Sequence, residues 1–82
     1  MQHKNLIDLM TRQGLGKDGD AWTVPAGIGA TIYLALDDEA LIIDRVVRIE
    51  LHGEVGIAVT ARRERYGFEL ETVRALRFVA DK

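Results

Sequence analysis

The densest run of charge in the chain is Arg62-Arg63-Glu64-Arg65, followed at once by Tyr66. Guanidinium groups are planar, permanently charged and readily desolvated, so they suit bidentate contact with phosphate or carboxylate. A tyrosine beside them offers a ring on which a base can stack. Arg62, Arg63, Arg65 and Tyr66 therefore form a candidate corner for single-stranded RNA, with Tyr33 as a second stacking surface and Arg45, Arg48, Arg74 and Arg77 as further cations on nearby strands. Against this, Glu50, Glu54, Glu64, Glu69 and Glu71 are interleaved with the arginines. Phosphate affinity follows the charge that is neutralised, so these acids blunt it. Pairing of arginines with glutamates across strands is the preferred use, and nucleic acid the second.

Other groupings that resemble chemistry fall short of their motifs. Gly14-Leu15-Gly16-Lys17 has the glycines and lysine of a phosphate loop, but Asp18 follows the lysine where Ser or Thr is needed, and the spacing is too short. Asp18-Gly19-Asp20 begins like a calcium loop and lacks the later acids. Gly27-Ile28-Gly29 has no strand–turn–helix unit around it, as a dinucleotide fingerprint requires. Asp37-Asp38-Glu39 reads as a solvated hairpin tip. His3 and His52 stand far apart with no second ligand at metal spacing. The chain has no Cys and no Ser, and no Thr has a histidine at a suggestive offset, so nothing assembles a nucleophile with its base. The expectation is a non-enzymatic protein with no cofactor and no metal.

Length and composition bound the rest. Eighty-two residues support one domain, 1–82, with a small core. Domains of this size lean on disulfides, metals or partners, and the first two are not on offer, which leaves self-association. The net charge of −2 argues weakly against a dedicated nucleic-acid binder. The charge is uneven: the first 44 residues are acidic, and residues 45–80 hold seven Arg against five Glu. No apolar leader follows Met1, and no run approaches the ~20 apolar residues of a membrane helix, so the expected location is cytoplasmic.

The elements that position these residues follow from periodicity. Residues 5–13 are helical in period: Leu6, Leu9 and Met10 form an apolar stripe, Asn5 is placed to cap the helix and Gly14 to stop it. Residues 14–20 read as loop. The sheet is expected across 21–79. A short piece Trp22–Val24 precedes Pro25. Ala30–Leu36 alternates with Ile32, Leu34 and Leu36 on one face and Tyr33 on the other, both faces apolar enough to be covered. Ala40–Leu51 is the longest strand; its apolar parity breaks at Asp44-Arg45, which predicts a bulge or bend. His52-Gly53 is a hairpin turn. In the following strand Val55, Ile57, Val59 and Ala61 are expected to face inward, leaving Gly56, Ala58 and Thr60 as a flat outer face open to another backbone. Tyr66, Phe68 and Leu70 face inward beyond the arginine corner, and a single helical turn at Glu71–Val73 leads to a last strand, Arg74–Val79.

Strand, one-turn helix, short strand resembles the close of SH3-like and Sm-like small barrels, and a helix ahead of the strands is similar to Sm-like order. Neither Sm sequence signature is present, so the resemblance implies architecture and no site residues. The expected fold is mostly β with one N-terminal helix: a small antiparallel barrel or strongly bent sheet of about five strands. The expected function is an interaction module acting as a homo-oligomer, with Leu6, Leu9, Met10, Tyr33 and Ala58 as candidate interface residues. RNA binding through Arg62–Tyr66, or service as an accessory or ligand-binding subunit of a larger complex, are the alternatives.

Overall fold

A computed structural model describes residues 1–80. The chain opens with helix α1 (His3–Arg12), two residues earlier than the stripe and Asn5 suggest. Its first turn closes through Leu6 N–H to the Gln2 carbonyl at 3.0 Å, so no side-chain cap is used. The Met1 nitrogen donates to the carbonyls of Leu70 and Val73 at 2.7 and 3.2 Å, fastening this end to the far side of the sheet. The helix stops as expected at Gly14, whose φ of +80° is the left-handed conformation that glycine adopts without steric cost. Leu15 N–H reaches the Met10 carbonyl and Gly14 N–H that of Thr11, both at 3.1 Å, and Leu15 packs with Met10 in the core. These are the paired bonds and apolar contact of a Schellman stop.

Seven strands follow: β1 (Gly16–Asp18), β2 (Ala21–Thr23), β3 (Ile28–Ala35), β4 (Ala40–His52), β5 (Val55–Thr60), β6 (Arg65–Glu69) and, after a one-turn 3-10 helix at Leu70–Thr72, β7 (Val73–Ala80). All pairings are antiparallel. The segment 14–20, expected as loop, contributes β1, because pairing with β2 overrides its glycine-rich composition.

The long strand β4 carries the architecture. Its first half pairs with β3, while its second half lies between β2 and β5. Two irregularities bend it. Ile43 faces Ile32 and Val46 faces Ala30, so three steps on β4 match two on β3, and Arg45 sits at φ +56°. Val46 faces Thr60 and Arg48 faces Val59, so Val47 is extra against β5. Each extra residue resets the alternation. Inward positions therefore run Ile43, Val46, Ile49 and Leu51, all buried, rather than following a strict period of two. The break that the sequence places at Asp44-Arg45 is present.

Two arms result, β1-β2-β4-β5-β6 and β4-β3-β7. The sheet does not close into a barrel, since no ladder joins β6 to β7. Leu6 and Met10 of α1 enter the same core as Ile32, Val46, Ile49 and Val73, all nearly inaccessible to water. Among the described residues every buried side-chain nitrogen or oxygen has a hydrogen-bond partner.

The faces of β5 are the reverse of the expectation. Gly56, Ala58 and Thr60 point into the core, and Val55 is exposed. The reason is volume. The Phe68 ring lies where a Gly56 side chain would stand: a Cβ there would be 2.6 Å from the ring's Cζ. Trp22, Ile49, Ala58 and Tyr66 form one row across β2, β4, β5 and β6, with the smallest residue between the large ones. Large neighbours need small partners across a ladder, and period-two reasoning assigns the larger residues to the core without seeing that.

Candidate functional site

The β4 bulge and the β5–β6 turn meet. Ala61 N–H donates to the Arg45 carbonyl at 2.8 Å, which brings the backbone bearing Arg62 beside the one bearing Arg45. The turn is closed on Thr60: Arg63 N–H donates to its carbonyl at 2.9 Å, its own N–H donates to the Glu64 carbonyl at 2.9 Å, and Glu64 N–H donates to its hydroxyl at 3.2 Å. Arg63 occupies the tight position with φ +67°. Arg45 and Arg63 are the two non-glycine residues with positive φ among those described. A side chain there costs about 1–2 kcal/mol in steric strain.

Between bulge and turn lies a cleft of about 270 Å³ lined by Ile42, Asp44, Arg45, Arg62, Glu64 and Tyr66, with Ile43 and Thr60 at its base. Asp44 Oδ1 accepts from the Thr31 hydroxyl at 3.0 Å. Glu64 Oε1 accepts from Thr60 at 3.4 Å and from the Tyr66 hydroxyl at 3.3 Å. A second cleft, about 280 Å³, adjoins the first across Asp44 and Arg45 and is lined by Thr31, Arg77 and Val79. Among the described residues, Arg45, Arg62, Arg63 and Arg77 make no ion pair.

The structure divides the expected nucleic-acid corner. Arg62 and Tyr66 share the cleft. Arg63 is at the turn's tip, and Arg65, of opposite strand parity to Tyr66, goes to the outer face of β4, β5 and β6. There Glu50 gathers two arginines and a histidine: Arg48 Nε at 3.2 Å, His52 Nε2 at 3.5 Å and Arg65 Nη2 at 3.6 Å. The hydrogen bond from His52, with further contributions from Arg48 and Arg65, holds the Glu50 carboxyl below its ordinary pKa, against an opposing push from desolvation. Cross-strand pairing of arginine with glutamate is thus present at this face, as the sequence suggests for Arg65.

The expected oligomer residues are also divided. Leu6, Met10 and Ala58 are 1, 0 and 0% exposed, so they serve the chain's own core and offer nothing to a partner. The helix stripe closes over the sheet, and Ala58 faces inward for the reason given for β5. Leu9 and Tyr33 are half-buried. Tyr33 lies on the outer face in a row with Ile42 and Ala75 across β4, β3 and β7, and Ile42 is 55% exposed.

Sequence reasoning missed the sheet edges. Strand β6 is paired only with β5, and β7 only with β3. On β7, Leu76 and Phe78 face the core yet remain half-exposed beside the unpaired edge, and Val79 is 44% exposed. Nothing in the composition of RYGFE or VRALRFVA says which edge of a strand is free; that is a property of the ladder order. Among the described residues no group of three acids or histidines is placed to hold a metal ion, and no helix is long and apolar enough to cross a membrane. Comparison with protein-family models, with curated proteins and with solved structures finds no match for this chain.

Proposed function

We propose that this chain is a non-enzymatic assembly module whose copies join edge to edge, β7 of one against β6 of the next. The observation that carries the reading is the bare edge of β7: eight residues long, free of proline, with two half-covered core side chains beside it. Natural sheets guard such edges because they template pairing with another chain.

The two edges are complementary. In a parallel ladder that sets Glu69 of one copy opposite Arg77 of the next, Phe68 meets Leu76 and Gly67 meets Ala75. The unspent N–H and C=O groups of Glu69 then meet those of Leu76 and Phe78, and facing is preserved, since Phe68 and Leu76 belong to the core side and Glu69, Arg77, Gly67 and Ala75 to the outer side. Neither Glu69 nor Arg77 has an ion-pair partner among the described residues. Opposite charges set directly across a ladder contribute roughly 0.2–1 kcal/mol, whereas like charges there oppose pairing. The larger gain comes from covering Phe78 and Leu76. Because the two edges differ, the contact is heterologous, and its products are rings or filaments.

Light scattering coupled to size exclusion tests the idea between about 1 and 100 µM protein, where mass action shifts an assembly of this kind. The expected result is a species larger than a monomer that weakens on Arg77→Glu and recovers when Glu69→Arg is added. A monomer throughout that range, or a double variant no better than the single one, overturns the reading.

A further inference from the structure

The geometry points to the cleft at the β4 bulge as a site for one ribonucleotide unit: its phosphate between Arg45 and Arg62, its base against Tyr66 and Ile42, and its ribose hydroxyls on the carboxylates of Asp44 and Glu64. Both arginines line the cleft and neither has an ion-pair partner among the described residues, so ten N–H donors stand ready for an anion. The 2.8 Å bond from Ala61 N–H to the Arg45 carbonyl keeps their two backbones together.

The mixed charge of the lining selects the ligand class. A bare phosphate would meet two carboxylates along with the two guanidinium groups and gain little. A ligand that joins an anion to neighbouring hydroxyl donors uses all four. Asp44 and Glu64 are each engaged through one oxygen only, to Thr31 and to Thr60 and Tyr66, which leaves Asp44 Oδ2 and Glu64 Oε2 open as acceptors. Carboxylates accepting from ribose hydroxyls are an established recognition device. Tyr66 supplies a ring face and Ile42 an apolar one, and bases stack on such surfaces with little sequence preference. A volume of about 270 Å³ admits one nucleotide rather than several.

The conformation of Arg45 adds an independent reason. A glycine would take φ +56° at this bulge without strain, yet an arginine is held there. Strained residues that aim a side chain into a cleft cluster at ligand sites. The adjoining cleft with Thr31 and Arg77 continues past Arg45, so the nucleotide is either free or one unit of a single strand laid across both.

Titration of the ¹⁵N-labelled full chain with uridine 5′-monophosphate, hexauridylate and inorganic phosphate tests the site. The expected shifts centre on Asp44, Arg45, Ala61, Arg62 and Tyr66, with phosphate alone binding more weakly than the nucleotide. Arg45→Gly and Arg62→Ala should each weaken binding by about tenfold or more, the scale of a lost charged hydrogen bond. Arg45→Gly suits the bulge geometry, and Arg62→Ala carries the test if that variant fails to fold. Hexauridylate binding far tighter than the monophosphate assigns the site to a strand; equal binding assigns it to a free nucleotide. Shifts elsewhere or with neither probe, phosphate binding as tightly as the nucleotide, or undiminished affinity in either variant overturns the assignment.

Discussion

Replacing Gly56 by Ala tests the inward face of β5, on which the packing depends. The added Cβ would stand 2.6, 2.8 and 3.3 Å from Phe68 Cζ, Cε2 and Cε1. The two nearest contacts fall short of any separation that carbon atoms sustain, so the ring must move. Phe68 is 8% exposed and lies on the strand next to β5, leaving it little room. Overpacking of this kind costs ~1–3 kcal/mol. Against it stands the gain from removing a strand glycine, about 0.5–1 kcal/mol. The net expectation is a loss of roughly 1–2 kcal/mol, or a fall in melting temperature of about 4–16 °C at this chain length. Urea titration followed by the fluorescence of Trp22, the only tryptophan and buried in the same core, reads it directly. Variants are compared at one protein concentration, so that any self-association contributes equally. Gly67→Ala is the control: it lies on the exposed face of β6 with nothing within 4 Å of its added carbon, so it should be neutral or slightly stabilising. A Gly56→Ala protein as stable as the parent, or a Gly67→Ala protein that loses as much, would refute the inward assignment. Trimming Phe68 to Leu should recover part of the Gly56→Ala loss if the clash is its cause.

Two further outcomes follow from backbone geometry and charge. At position 63, Gly should be more stable than Ala by about 1 kcal/mol in urea titration, the reverse of the usual order, because φ +67° burdens any side chain; Ala equal to Gly would show that the turn relaxes. Glu50 has its pKa lowered by folding, so its contribution is present above the ordinary carboxylate value of 4.5 and disappears as pH falls through the lower folded value. Glu50→Gln should therefore cost stability near pH 7 and cost nothing in strong acid; a difference independent of pH would remove the ion cluster as its source.

Much of the architecture is legible in the residues because it rests on local signals. The stripe Leu6, Leu9, Met10 ending at Gly14, the broken parity at Asp44-Arg45, the glycine turn at Gly53 and the single helical turn near Glu71 all report backbone preferences that act within a few positions. The helix starts two residues before Asn5 because a backbone bond to Gln2 replaces the side-chain cap that Asn5 advertises. Strand β1 was hidden for the opposite reason: its residues favour a turn, and only the ladder with β2 extends them.

The site divides along the same line. Sequence alone determined that arginines and a tyrosine concentrate past Thr60 and that no thiol or serine chemistry is available. Tertiary structure alone decided which of them meet. Arg45 joins Arg62 because a bulge turns β4 toward the β5–β6 corner, and Arg65 is drawn to Glu50 on the opposite face. It also decided that Ala58 is core and that β6 and β7 keep bare edges. The physical reason is that periodicity encodes which residues share a face, while the volume of the neighbour across the ladder chooses which face is buried, and the order of the ladders chooses which edge is left unpaired.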